Sequence, residues 1–289
     1  MSTMHWTTLV DVPSLAACLG DRQLRLLDAR AVLVDPAAGA AAHAASHLPG
    51  AVHADLDRDL SDHSVHGHGR HPLPDAAAFA RRLGQWGIGP QHQVVVYDAG
   101  DGSMAAARAW WLLRLLGHTR VAVLDGGLAA WRQAGGPEEA GVGAGCPPLP
   151  PYPADHFDTA RIASAGDVLQ RLGEPPGWLL DARGAERFAG EVEPIDPVAG
   201  HVPGALNHPF ALNLRDGRFR PAPELRAELE PLLRGRPAVQ AVLMCGSGVT
   251  ACHLLLAMEH AGLTGARVYA GSWSGWIADP SRPVARGAA

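Results

Sequence analysis

Leu26-Leu27-Asp28-Ala29-Arg30 and its recurrence, Leu179-Leu180-Asp181-Ala182-Arg183, decide the fold. The repetition extends further along the chain. His47-Leu48-Pro49-Gly50-Ala51 returns as His201-Val202-Pro203-Gly204-Ala205. Val121 to Trp131, with Gly126-Gly127, returns as Val268 to Trp276, with Gly271 and Gly275. Order and approximate spacing are preserved, so a duplicated domain is the economical account.

Outward from these motifs, short apolar runs alternate with amphipathic stretches. Strands are expected at Leu24–Leu27, Val94–Tyr97 and Val121–Leu124, then at Trp178–Leu180, Val239–Met244 and Arg267–Ala270. Helices are expected at Asp75–Leu83, Met104–Leu116, Glu224–Leu233 and Ala251–His260. Nearly continuous apolar strands alternating with helices predict α/β domains, each a parallel β-sheet flanked by helices on both faces. With 289 residues, two domains are expected: 1–136, a linker at 137–153 and 154–289. The linker assignment rests on its density of breakers, including Pro147-Pro148 and Pro150-Pro151.

Composition removes several chemistries. All 24 basic residues are arginine, so lysine Schiff-base catalysis and a P-loop ATPase are both excluded. A formal charge of −5 gives no basic field for nucleic acid or an acidic membrane. The start of the chain has no apolar core of signal-peptide length, and a cytoplasmic protein is expected. The cysteines Cys18, Cys146, Cys245 and Cys252 have no C-x-x-C spacing, so neither zinc nor a dithiol is indicated. His63, His66, His68 and His71 crowd one glycine-interleaved segment, which reads as a polar loop rather than a metal site.

In parallel sheets, ligands sit beyond the carboxyl ends of the strands. That directs attention to Met244-Cys245-Gly246-Ser247-Gly248-Val249-Thr250-Ala251-Cys252, which opens into an apolar helix pattern. A helix N-terminus favours a thiolate through unpaired N–H groups and the dipole. Gly246 and Gly248 allow successive N–H groups to turn inward, and Thr250 is expected to cap the helix. From spacing alone, a structural cysteine before a glycine turn competes evenly with a nucleophile. A cysteine phosphatase needs an arginine six positions on, and Ala251 stands there. Cys252, two helical turns beyond Cys245, is expected to point into the core or backwards.

Cys245-Gly246-Ser247-Gly248-Val249-Thr250 resembles the active loop of 3-mercaptopyruvate sulfurtransferases, members of the tandem-rhodanese family. The repeated Asp-Ala-Arg and His-x-Pro-Gly-Ala elements resemble that family's signatures, and the match runs from about Leu24 to Trp276. The resemblance implies two rhodanese-like domains, of which only the second is reactive. Superposing the halves through Trp131 and Trp276 brings Gly100-Asp101 to the cysteine position, so the first domain is expected to be silent.

The resemblance further implies that Cys245 carries sulfur as a persulfide from 3-mercaptopyruvate, or thiosulfate, to cyanide or a thiol. Ser247, His71 and Asp57 match proposed relay partners, although Ser247 reads almost equally well as a backbone-capping hydroxyl. Arg187 matches a donor-binding arginine, with Gly246, Gly248, Val249 and Thr250 completing the donor cradle; Arg183 reads as structural. No cofactor or metal is implied. The partners implied are a small sulfur donor and its acceptor, a thioredoxin-like protein among the acceptors, with no nucleic acid and no membrane. A non-catalytic rhodanese-type binding module is the alternative, and it has no need of the intact cysteine loop.

One departure bears on the donor. The family pattern for mercaptopyruvate has a second arginine nine residues after Arg187, where this chain has Asp196. One cation rather than two weakens carboxylate clamping and pulls toward thiosulfate, whereas the uncharged Gly246-Ser247 favours mercaptopyruvate. On this reading, Asp196→Arg is expected to improve mercaptopyruvate use.

Overall fold

The computed structural model describes residues 4–100, 105–141, 143 and 145–287. The chain forms two compact units, one from residues up to Asp62 with Leu73–Asp158, the other from His63–Pro72 with residues from Thr159 onward. A ten-residue segment of the first sequence half therefore packs as part of the second unit.

The first unit is built on strands β1 (Leu9–Val10), β2 (Leu24–Asp28), β3 (Val52–His53), β4 (Gln93–Tyr97) and β5 (Val121–Leu124). They lie in the order β1-β5-β4-β2-β3, every neighbouring pair parallel. The second unit has β6 (Ile162–Ala163), β7 (Leu179–Asp181) and β8 (Leu206–Asn207), a small antiparallel pair β9 (Leu214–Arg215) and β10 (Arg218–Phe219), then β11 (Val242–Met244) and β12 (Arg267–Tyr269). Its five-stranded sheet runs β6-β12-β11-β7-β8, again all parallel. The two windings are the same, as a duplication requires.

Parallel strands need crossovers that cover the sheet, which is why the central strands carry no polar alternation. Each residue of β4 and of β11 is buried. The helix Ala76–Gln85 begins where the Asp75 carboxylate accepts the Ala78 N–H at 2.7 Å, and it buries Phe79, Ala80 and Leu83. The helix Ala105–Leu115 is buried on nearly every side, so Trp110 and Trp111 are core side chains. Met104, expected to open that helix, lies outside the described residues. Among the described residues no helix is long and apolar enough to cross a membrane.

The repeated motifs have one structural cause. At the end of β2, the Arg30 guanidinium grips Asp28 with two N–H groups and also donates to the Ser46 carbonyl at 2.6 Å, just before His47. At the end of β7, Arg183 grips Asp181 in the same way and donates to the Gly200 carbonyl at 2.8 Å, just before His201. The Asp-x-Arg turn is thus hydrogen-bonded directly to the segment that opens each His-x-Pro-Gly-Ala turn. Gly50 and Gly204 hold φ of +77° and +80° there, a conformation in which glycine is unstrained.

Some boundaries moved for local reasons. The helix expected over 224–233 spans Ala222–Leu229 and tightens into a 3-10 turn at Glu230–Leu233, where Pro231 has no N–H to continue the ladder. The strand expected from Val239 begins at Val242, after a turn at Ala238–Gln240 that follows Pro237. The breaker-rich stretch 137–153 is hydrogen-bonded to the first unit, Leu149 N–H to the Gly84 carbonyl at 2.8 Å and Tyr152 N–H to the Ala80 carbonyl at 3.0 Å.

Candidate active site

In the second unit, β11 is flanked by β12 and β7, and its carboxyl end delivers the loop Cys245–Val249 into the helix Thr250–His260. The loop is fastened to the segment after β12. The carbonyls of Cys245 and Gly246 accept the N–H groups of Trp273 and Ser274, each at 2.9 Å. The Cys245 N–H donates to Ser272 Oγ at 3.0 Å, and that hydroxyl donates to the Tyr269 carbonyl at 2.9 Å. Cys245 Sγ accepts the Gly248 N–H at 3.1 Å and lies 4.0 Å from Ser272 Oγ.

The glycines of the loop serve different ends. Gly248 has φ +81°, and a Cβ there would stand 2.3 Å from the Ala270 carbonyl oxygen. Any side chain would break the turn that aims its N–H at sulfur. Gly246 leaves space for arginines: a Cβ there would stand 3.0 Å from Arg70 Nη2 and 3.5 Å from Arg187 Nη1.

The cap expected from Thr250 is not made. Val249 holds the N-cap position with helical dihedrals, φ −88° and ψ −60°, and Thr250 is the first helical residue. A capping hydroxyl needs an extended residue from which to reach back, and the chain enters this helix already helical. Cys252 is fully buried and its Sγ–H donates to the Gly248 carbonyl at 3.1 Å, so it braces the loop from behind.

Ser247 is buried and its hydroxyl shares a 2.8 Å hydrogen bond with His71 Nδ1. His71 reaches it because His63–Pro72 belongs to this unit. Asp57 belongs to the other unit, where its backbone N–H donates to Asp55 Oδ1 at 3.0 Å.

Arg187 projects from the short helix Ala185–Ala189. Its Nη2 donates to Glu193 Oε1 at 2.7 Å and to Asp196 Oδ2 at 3.2 Å. Arg70 donates to the other oxygen of Asp196. Burial works against the charge on Glu193, but hydrogen bonds from Arg187 and from the N–H groups of Asp196 and Ile195 hold its carboxyl below the usual range. Arg183 is buried and stacks on Trp273, 4.8 Å from the ring centroid. Burial opposes its charge; the Asp181 carboxylate, with smaller contributions from Glu193 and Cys245, holds the guanidinium above the ordinary arginine range. Arg183 thus ties the end of β7 to the Gly200 carbonyl and packs on Trp273.

The first unit answers the question of the missing nucleophile differently from the sequence superposition. The Ala29 N–H donates to the Tyr97 carbonyl at 2.7 Å, and its repeat Ala182 donates to the Met244 carbonyl at 2.8 Å. Leu128 N–H then donates to the Asp98 carbonyl as Trp273 N–H donates to that of Cys245. Asp98, not Gly100, therefore stands in the place of Cys245. The first unit has two more residues between its central strand and Trp131, so counting back from the tryptophan slips by two. Asp101 lies outside the described residues.

Three participants were missed by sequence reasoning: Arg70, Ser272 and Glu193. Ser272 was detectable. Counted back from Trp131 and Trp276, it matches Gly127, and the two share φ of +54° and +50°. A serine kept in a glycine conformation is a strained residue with a reason to be there. Arg70 had no signal beyond its place before His71, and Glu193 none at all.

Known proteins resemble this chain over both of its units. The rhodanese-like domain family matches residues 11–134 and again residues 164–279. A Pseudomonas aeruginosa protein provisionally named 3-mercaptopyruvate sulfurtransferase is 50% identical, over 98% of this chain and 100% of its own. A Mycobacterium tuberculosis protein provisionally named thiosulfate sulfurtransferase is 44% identical, over 91% of each chain. Among solved structures, the 3-mercaptopyruvate sulfurtransferase from Leishmania major superposes with a TM-score of 0.82 at 30% identity, covering 93% of this chain and 73% of that one.

Proposed function

This chain belongs to the rhodanese family, and we propose that it is a sulfurtransferase that uses 3-mercaptopyruvate as donor through a persulfide on Cys245. The observation that carries the reading is the uncharged loop itself, with Cys245 Sγ accepting the Gly248 N–H and Ser247 hydrogen-bonded to His71. A binding module has no use for a thiol placed in this way.

The Cys245 thiolate attacks the donor sulfur, and the carbon–sulfur bond breaks. The electron pair leaves on the methylene carbon as the enolate of pyruvate, which takes up one proton. The Ser247–His71 pair supplies that proton. In the second step an acceptor thiolate, on a small thiol or a thioredoxin-like protein, attacks the outer sulfur. The sulfur–sulfur bond breaks and the Cys245 thiolate returns; cyanide does the same and leaves as thiocyanate. No external oxidant or reductant enters the balance.

Thiosulfate is the second reading of the donor, favoured by the name of the Mycobacterium tuberculosis relative. Specificity constants measured with both donors and a common acceptor decide between them: a higher value for mercaptopyruvate is expected, and a higher value for thiosulfate reverses the assignment.

A further inference from the structure

The donor's anionic end needs cations, and the second one is not where the sequence pattern places it. At position 196 there is a buried carboxylate that holds two guanidiniums at once, Arg187 through Oδ2 and Arg70 through Oδ1. Arg70 is fixed at its other end too: its backbone N–H donates to Ser274 Oγ at 3.0 Å. The preceding Gly69, at φ +90°, packs so closely that a Cβ would stand 2.5 Å from the Gly271 carbonyl oxygen. Both guanidiniums converge over Gly246, the residue next to the thiol. The side chains of Arg70 and Arg187 are 31% and 22% exposed, whereas that of Asp196 is 3% exposed. The two cations thus keep solvent-exposed surface, whereas the carboxylates that hold them, Glu193 and Asp196, are buried.

Resting on the sulfurtransferase reading, we propose that Arg70 is the second donor-binding cation and Asp196 the residue that positions it, so that the two together replace an arginine at 196. Arg187 and Arg70 present a two-cation clamp for the α-keto carboxylate of mercaptopyruvate. Arg70, Arg183 and Arg187 are matched in number by Asp181, Glu193 and Asp196. The clamp therefore offers directed N–H groups with little excess charge, which suits a monoanion better than a dianion. Arg70 and His71 act on adjacent loop residues, Arg70 over Gly246 and His71 on Ser247, so one short segment supplies both donor binding and proton handling.

This reverses what the sequence alone says of position 196. Arginine introduced there removes the anchor of Arg70 and repels it. The test is steady-state kinetics of the full chain with mercaptopyruvate, on wild type, Arg70→Gln, Arg70→Lys, Asp196→Arg and the swapped double variant Arg70→Asp/Asp196→Arg. Arg70→Gln should raise KM on the order of 10-fold to 100-fold, the loss expected of a charge-assisted contact, with a much smaller change in kcat. Arg70→Lys, which keeps the charge without the fork, should fall between it and wild type. Asp196→Arg alone should lose as much, and the double variant should recover most of the loss by supplying the cation from position 196. An unchanged KM in Arg70→Gln, or a double variant no better than Asp196→Arg alone, overturns the proposal. Wild type that transfers sulfur from neither mercaptopyruvate nor thiosulfate would instead overturn the parent reading.

Discussion

Ser272 shows how a single residue trades stability against position. Its φ of +50° is strained for any residue with a Cβ, at roughly 1 to 2 kcal/mol. The first unit avoids that cost with Gly127 in the same conformation. What the strain secures is a hydroxyl that accepts the Cys245 N–H and stands beside Sγ. Ser272→Ala and Ser272→Gly both remove the hydroxyl, but only glycine also removes the strain. The glycine variant should be the more stable by about 1 kcal/mol in denaturant unfolding, and both should lose kcat with little change in KM. Equal stabilities, or full activity in either, contradicts this account. The Arg187 clamp belongs to the same scale: Arg187→Ala should raise KM for mercaptopyruvate on the order of 10-fold to 100-fold, and an unchanged KM would remove Arg187 from donor binding.

At the scale of the element, the Asp-x-Arg turn at a strand end is an electrostatic joint. Burial alone would raise the Asp28 carboxyl, but hydrogen bonds from His43 and Arg30 outweigh it and hold the group at about 2, against an ordinary 3.8. A folded value below the unfolded one gives stability that is complete above the unfolded value and is lost as pH falls through the folded one. The shift is worth about 2 kcal/mol. Asp28→Asn should cost the first unit about that much at neutral pH and flatten its loss of stability between pH 4 and 2. A variant with the wild-type acid profile would show that the joint contributes nothing. The elements themselves were largely legible in the sequence, because strands such as Val121–Leu124 are apolar throughout and a helix start such as Asp75 carries its own capping side chain. The two-residue strands Leu9–Val10, Val52–His53, Ile162–Ala163 and Leu206–Asn207 were not, since two residues carry no period.

For the whole molecule, duplication was readable and its exact registration was not. Three repeated motifs imposed two similar domains, and both sheets have the same order. Alignment through a tryptophan nevertheless missed the two-residue difference that puts Asp98 in the cysteine's place, because loop length is invisible to motif order. Nor could the sequence show that His63–Pro72 packs with the second unit, which brings Arg70 and His71 to a loop more than 170 positions later (71 to 247). The candidate nucleophile Cys245 and its neighbour Ser247 lie in one contiguous loop, so that part of the candidate site could be read from the sequence. Its charged surroundings, assembled from 70, 193 and 196, depend on folding and could not.

With a carboxylate at the cysteine's place in the first unit, the proposed function implies a stoichiometry of one sulfur per chain. Intact mass of the full chain after mixing with mercaptopyruvate, with no acceptor present, measures it directly. The account predicts a gain of about one sulfur atom per chain, removed by cyanide and absent in Cys245→Ser, whose hydroxyl is too weak a nucleophile to replace the thiolate. No gain in the wild type, or a gain that persists in Cys245→Ser, would contradict it.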